Sequence, residues 1–337
     1  MKASELKKLL EFTLPHNFPV LIKGQPGVGK SDIVDQAVSK LGYELIISHP
    51  VVSDPTDYKG LPFVVNGKAD FLPFGELDRI INATSPLVFF FDDLGQATPA
   101  VQSAVMQLLL ARQINGHKVS DHVRFIAATN RRVDMANVSG ILEPVKSRFY
   151  SIVELELNIK SADDVQDWLA WGRKNNMPAS LLFFIESEPK MLNDFKPSRD
   201  LQNSPCPRTV AAVGRMLNAG LPKELFFEVV SGAAGESFAS GLKFYMDTFL
   251  SLPTIGQIEN DPYGTPVPSN IQSRFAIASL LTEKMNAGNI GKLISYSERM
   301  EKELQVSIIK TAAERNPQVA MTRDFAMWAS KNVQNLM

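Results

Sequence analysis

Gly24-Gln25-Pro26-Gly27-Val28-Gly29-Lys30-Ser31 spaces its glycines, lysine and hydroxyl as the Walker A phosphate-binding pattern requires. The glycines free consecutive backbone N–H groups to wrap an anion, and a helix opening directly afterwards adds a favourable dipole. Lys30 then reaches the β/γ-phosphates and Ser31 ligates Mg²⁺. A second chemical station follows at Leu87-Val88-Phe89-Phe90-Phe91-Asp92-Asp93, an apolar run ending in two acids. Behind a Walker A loop this reads as Walker B, with Asp92 holding Mg²⁺ and Asp93 polarising a water. The competing role for either aspartate is helix N-capping. ATP and Mg²⁺ are the ligands these residues call for.

Such residues work only if strands and helices bring them to one place. Five short β-branched or aromatic runs read as buried strands, because they lack the polar alternation of a sheet with one wet face: Phe18–Lys23, Tyr43–Ser48, Leu87–Phe91, Val123–Ala128 and Tyr150–Glu156. Helical patterns lie between them at Ser31–Leu41, Gly75–Ile81 and Thr98–Arg112. Alternating strands and helices imply an α/β domain with a parallel sheet covered on both faces. Asn66-Gly67, between short extended arms, predicts a tight β-hairpin inserted at 53–74.

After residue 157 helical periodicity dominates, at Ala162–Lys174, Leu181–Ile185, Thr209–Asn218 and Lys223–Ala234. Residues 1–157 are therefore expected to form the nucleotide-binding domain and 158–250 a helical lid. Ser251–Ser269, rich in Pro, Gly, Asn and Asp, reads as a long loop. It opens a C-terminal extension, 251–337, with helices at Ile271–Asn286, Lys292–Ala313 and Met321–Asn335.

Composition bounds the function classes. The 337 residues are 45% hydrophobic and 21% charged, an ordinary globular balance that excludes a mainly disordered chain. Thirty-five Lys+Arg against 36 Asp+Glu leave a formal charge of −1, so no global positive field draws the chain onto nucleic acid. A few basic residues lining a pore would still suffice for a nucleic-acid motor. Cys206 is the single cysteine and cannot form an intramolecular disulfide, and the amphipathic start differs from a secretory segment. The longest apolar run, Pro86 to Phe91, falls far below the ~20 residues of a membrane span. A cytoplasmic protein is expected. His16, His49, His117 and His122 show no metal-binding spacing and read as structural.

The Walker pair, together with Ser53-Asp54-Pro55-Thr56-Asp57-Tyr58-Lys59-Gly60, the Asn66-Gly67 hairpin and Gln96–Ala104 with Arg112-Gln113-Ile114-Asn115-Gly116, resembles the MoxR-type branch of AAA+ ATPases. That branch carries an insertion in the helix after strand two. The resemblance implies an α/β P-loop AAA+ core with a five-stranded parallel sheet and a β-hairpin insertion, followed by a helical lid and C-terminal helices. It also makes Asn130 sensor 1, which orients the lytic water, Arg148 the arginine finger reaching a neighbouring subunit, and Arg208 sensor 2 on the lid. Read from the residues alone, Asn130 caps a loop, Arg148 pairs with Glu143 and Arg208 pairs with a carboxylate near its helix start. A ring of identical subunits, expected to be a hexamer, follows from the resemblance. The lid half, with Trp168-Leu169-Ala170-Trp171 and Pro205–Arg208, is similar to phage and bacterial members paired with a von Willebrand factor A-like protein. At helical spacing, Trp168 and Trp171 fit lid core better than a ligand platform.

Two departures bear on activity. The family ends Walker B with Asp-Glu where this chain has Asp92-Asp93, and a carboxylate withdrawn by ~1 Å can cost ~10²-fold in rate, so slow hydrolysis is expected. The family's Asn-Arg-Ala is replaced by Gly95-Gln96-Ala97. The expected activity is an ATPase that remodels a protein partner in chaperone fashion. An ATP-dependent assembly switch and a nucleic-acid-associated motor stand as alternatives.

Overall fold

The computed structural model describes residues 1–65, 67–134, 140–198, 200–248 and 252–332. The chain divides into two compact units, Met1–Leu157 and Asn158–Met337.

Among its described residues the first unit carries the strands β1 (Val20–Gly24), β2 (Glu44–Ser48), β3 (Leu61–Val65), β4 (Lys68–Leu72), β5 (Leu87–Phe91), β6 (Gln113–Ile114), β7 (His117–Lys118), β8 (Val123–Thr129) and β9 (Ser151–Leu155). Its helices are α1 (Ala3–Thr13), α2 (Lys30–Lys40), α3 (Pro55–Lys59), α4 (Gly75–Ile81), α5 (Pro99–Ala111) and α6 (Glu143–Lys146). Five strands form one sheet in the order β2-β5-β8-β1-β9, and every neighbouring pair is parallel.

Why continuous apolar runs make this sheet is visible in β5. Successive side chains point to opposite faces, so a strand covered on both sides must be apolar throughout. Val88 and Phe90 join Leu6, Leu10, Val34 and Val38 from α1 and α2 on one face. Phe89 and Phe91 join Val101, Val105 and Leu108 from α5 on the other. Phe125 of β8 locks the second layer, stacked on Phe91 at 5.8 Å and edge-on to Phe89 at 6.2 Å. The five strands read from the sequence are the five strands of this sheet, with ends shifted by a residue or two.

Strands β3 and β4 pair antiparallel from Leu61↔Leu72 to Val65↔Lys68. Asn66 of the expected turn lies outside the described residues. A second hairpin, β6–β7, turns at Asn115 and Gly116, whose φ values of +46° and +87° suit a type I′ turn. The sequence reading does not separate it from the surrounding segment, although it carries the same Asn-Gly signal. This hairpin braces the insertion: Asn115 Nδ2 donates to the Lys59 carbonyl and His117 Nε2 to the Phe71 carbonyl, both at 2.8 Å. Tyr58 is buried beside Phe91, and its hydroxyl lies 3.0 Å from Ser48 Oγ and 3.2 Å from Ser53 Oγ. Burial raises its phenol pKa above the usual range.

The second unit is helical among its described residues: α7 (Gln166–Lys174), α8 (Ala179–Ser187), α9 (Pro207–Asn218), α10 (Phe226–Ala234), α11 (Glu236–Thr248), α12 (Ile255–Asn260), α13 (Ile271–Lys284), α14 (Ile290–Ser297), α15 (Lys302–Arg315), α16 (Pro317–Ala320) and α17 (Arg323–Lys331). The expected long loop at 251–269 is interrupted by α12; its residue 251 lies outside the described residues. Thr254 Oγ1 accepts from the Gln257 N–H, and the Gln257 side chain accepts from the Thr254 N–H, a reciprocal cap within a stretch that composition alone marks as loop.

The single helix expected over Lys292–Ala313 is instead broken between Ser297 and Lys302. Arg299 Nη1 donates to the carbonyls of Pro262 and Thr265, both at 2.8 Å, and Arg274 pairs with Glu301. These tertiary anchors override the helical periodicity. The last helix is described to Lys331, and its expected continuation through 333–335 lies outside the described residues. Trp168 and Trp171 are half-buried with rings 6.0 Å apart, while Leu169 between them is fully buried.

Candidate active site

Parallel strands put all their C-terminal ends on one edge of the sheet, and loops leaving that edge are where α/β folds hold ligands. The loop after β1 runs directly into α2, so the Walker A residues sit on that edge. Gly27 and Gly29 hold φ at +76° and +99°, a left-handed backbone that other residues resist. Gly24 is required for a different reason: a Cβ there would stand 2.8 Å from the Leu155 carbonyl oxygen of β9. Gln25, Pro26 and Val28 fill the loop between, with Gln25 and Val28 buried.

Three neighbouring strands, β5, β8 and β1, deliver the polar residues. Lys30, 7% exposed at the start of α2, donates from Nζ to Gly24 O (3.0 Å), Gln25 O (3.1 Å) and Asn130 Oδ1 (2.8 Å). Asn130 follows β8 and donates from Nδ2 to Asp93 Oδ1 at 2.8 Å. An ammonium can only donate, so the Asn130 amide has one orientation that satisfies both neighbours, with oxygen to Lys30 and nitrogen to Asp93. Ser31 Oγ donates to Asp92 Oδ2 at 2.6 Å, and the Asp93 N–H donates to Asp92 Oδ1 at 3.1 Å. Lys30, Ser31, Asp92, Asp93 and Asn130 thus come together, although the sequence separates them widely.

Asp93 sits at φ +56°, ψ +34° and opens a 3₁₀ turn, Leu94–Gln96. Its side chain makes no capping bond to that turn and is directed instead to Asn130, which answers the N-cap alternative for this residue. Beside Asn130, Arg131 grips Asp134 with two bonds, at 2.9 and 2.8 Å, and lies 3.6 Å from Glu154. The bonds to Asp134 push the guanidinium pKa up.

Arg148 stands outside this cluster. It follows α6, and Glu143, its partner in the ion-pair reading, pairs instead with Lys146 at 2.7 Å. Arg148 Nη1 lies 3.4 Å from Ser147 Oγ, and its buried Nε has no partner among the described residues. Arg208 belongs to the second unit, exposed near the start of α9, and makes no ion pair among the described residues.

One buried amide escapes the sequence reading. Gln102 on α5 is 1% exposed, and all its bonds run to backbone: Nε2 to Ala97 O (3.1 Å) and Gly140 O (2.9 Å), with Oε1 accepting from Leu142 N–H (2.9 Å). The available signal is a polar residue on the buried arc formed by Val101, Ala104, Val105 and Leu108.

Chemically, the cluster offers a glycine cradle, a buried ammonium, a hydroxyl paired with a carboxylate, and a second carboxylate tied to an amide. This donor set fits a polyphosphate with its divalent cation. No group of three or more His, Cys, Asp or Glu among the described residues could hold a metal ion alone, so Mg²⁺ at Ser31 and Asp92 would complete its shell with phosphate oxygens and water. No helix among the described residues is long and apolar enough to cross a membrane.

Residues 20–157 match the family described as "ATPase family associated with various cellular activities (AAA)". Among solved structures, the chain is similar to a RuvB variant from Thermotoga maritima, at 16% identity and TM-score 0.44 over 73% of this chain and 69% of that one. It is also similar to the RuvB Holliday junction branch migration motor of the same organism, at 14% identity and TM-score 0.39, covering 74% of each chain. NtrX from Brucella abortus aligns with 92% of this chain and 67% of its own, at 14% identity and TM-score 0.42. No curated protein matches the chain. With five parallel strands in this order, the phosphate loop after the first and the paired acids after the third, residues 20–157 have the α/β P-loop AAA+ fold and match the AAA family over that span.

Proposed function

We propose that this protein binds Mg·ATP on the edge formed by β1, β5 and β8, hydrolyses it slowly, and uses the cycle as a ring-forming remodeller of a protein partner. The observation that carries this reading is the chain of contacts Lys30–Asn130–Asp93 beside the Ser31–Asp92 pair, at the mouth of a complete Walker A loop.

Residues 24–31 hold the phosphates through backbone N–H groups, and Lys30 exchanges the loop carbonyls for β/γ-phosphate oxygens. Ser31 and Asp92 would hold Mg²⁺, which when bound would neutralise phosphate charge. Asp93 orients a water and takes its proton, while Asn130 fixes the carboxylate and shares that water. Arg148 serves the nucleotide of the next subunit, and Arg208 takes the sensor 2 role on the lid. The likeness to MoxR-type proteins supports a hexameric ring and a von Willebrand factor A-like partner. A second reading, an ATP-dependent assembly switch with incidental turnover, is favoured by the short Asp93 carboxylate, already engaged by Asn130.

Mixing tests the shared site. Arg148→Ala and Asp92→Ala subunits are each expected to be inactive alone, whereas an equal mixture would contain interfaces with both functional halves and is expected to recover hydrolysis. Removal of an arginine finger costs ~10³–10⁵ in rate, so the rescue stands well above background. Full activity of pure Arg148→Ala, or no rescue in assemblies shown by mass measurement to be mixed, sinks the proposal.

A further inference from the structure

Gln102 joins two segments that the proposed chemistry needs in register. Upstream, the 3₁₀ turn opened by Asp93 ends at Ala97, whose carbonyl accepts from Gln102 Nε2. Downstream, Gly140 and Leu142 are held by the same amide, and Leu142 is the N-cap of α6. The α6 turn is continuous with Arg148, whose N–H donates to the Val145 carbonyl at 3.1 Å. A backbone bond from Gly140 N–H to Gly95 O, 3.2 Å, closes the same junction a second time. One buried amide therefore spans three backbone groups on two segments, with both of its N–H donors used.

The cost of keeping such a group buried argues that its position matters. A glutamine at 1% exposure must find every bond inside the protein, and an apolar residue would fill the same site on α5 without that demand. Gln102 hydrogen-bonds to none of Lys30, Ser31, Asp92, Asp93 or Asn130; among the described residues its side-chain bonds go only to backbone. Whatever it contributes to hydrolysis passes through the segments it clamps.

We propose that Gln102 is a positioning residue that ties the turn following Asp93 to the α6 arm bearing Arg148, so that the nucleotide-facing turn of one subunit sets the placement of the arginine it offers to the next. This rests on the reading of Arg148 as a finger acting in trans.

The test is a double-mutant cycle on the full-length assembled protein, reading kcat, KM and the affinity for a non-hydrolysable ATP analogue. Gln102→Met is expected to lower kcat by ~10²-fold, the effect of a ~1 Å misplacement, with KM and analogue affinity within twofold of the parent. Because the loss passes through Arg148, Gln102→Met combined with Arg148→Ala is expected to be no slower than Arg148→Ala alone. Multiplicative losses in the double variant, or an unchanged kcat in Gln102→Met, overturn the proposal. If Arg148→Ala alone keeps full kcat, it is the finger reading that fails, a separate outcome. Gln102→Glu keeps the acceptor for Leu142 N–H and loses the donors to Ala97 and Gly140, so it repeats the cycle should the methionine variant not fold. A reading on the parent protein needs no variant: the Leu142 amide is expected to exchange its hydrogen at least ~10-fold more slowly than an open loop amide, and exchange at the open-loop rate removes the clamp on which the proposal stands.

Discussion

Replacing Asp93 by glutamate sets two consequences of the structure against each other. The added methylene extends the carboxylate by one C–C bond, ~1.5 Å, towards the position a longer acid would serve. Displacements of ~1 Å are worth ~10²-fold in rate when they bring a reacting group into line. Against this, Asp93 Oδ1 already accepts from Asn130 Nδ2 at 2.8 Å, and that bond must be remade in a new geometry. Hydrogen bonds to charged groups contribute ~1.5–3 kcal/mol, so imperfect re-formation gives back about tenfold. The expected net gain in kcat is ~10-fold. Stability moves the other way: position 93 has φ +56°, where aspartate is tolerated better than glutamate, and the exchange costs about 1 kcal/mol. In a unit of this size, Met1–Leu157, that lowers the melting temperature by ~2–4 °C. Phosphate release under saturating ATP, with a thermal melt on the same preparation, reads both numbers. An Asp93→Glu protein with lower turnover and unchanged nucleotide affinity would refute the reasoning and show the left-handed turn already adapted to aspartate.

Lys30→Ala deletes a charged donor and is expected to weaken ATP binding by ~10- to 10²-fold in calorimetric titration; unchanged affinity in a folded protein would contradict the phosphate role. Gly24→Ala places a methyl 2.8 Å from the Leu155 carbonyl, and overpacking of this kind costs ~1–3 kcal/mol, so a lower melting temperature and weaker nucleotide binding should occur together. In the second unit, burial raises the Glu186 carboxyl pKa, opposed by Arg173 and by the Ser307 hydroxyl. A carboxyl whose folded pKa is raised binds its proton more tightly in the folded state, so stability falls as pH climbs from the unfolded value through the folded one. Glu186→Gln is therefore expected to melt higher than the parent at neutral pH, with the difference vanishing below the ordinary glutamate range; a constant difference across roughly pH 3–7 would be evidence against it.

The sheet was legible because burial on both faces forces an apolar run, and Leu87–Phe91 could hardly be anything else. The phosphate loop was legible for a related reason: few sequences other than Gly-rich ones permit its backbone. What escaped depended on partners distant along the chain. Helices α14 and α15 are parted by Arg299 reaching carbonyls more than thirty residues earlier, and periodicity carries no trace of that. Gln102 looks like an ordinary helix residue until Gly140 and Leu142 are brought against it. Asn130 could be matched to a station, but its bond to Lys30 comes only from the adjacency of β8 and β1. Arg148 shows the limit from the other side: its nearest acid in sequence, Glu143, is occupied by Lys146.

The brace between the two hairpins bears on how the insertion can diversify. Asn115 and His117 grip the carbonyls of Lys59 and Phe71, groups every amino acid possesses, so their hold does not depend on which side chains the insertion displays. Phe63 and Val64, exposed on β3, can change identity while the two bonds beneath them persist. The insertion is thereby an interchangeable part: its outer surface is free to drift or be redesigned, and its mounting on the first unit needs no matching change.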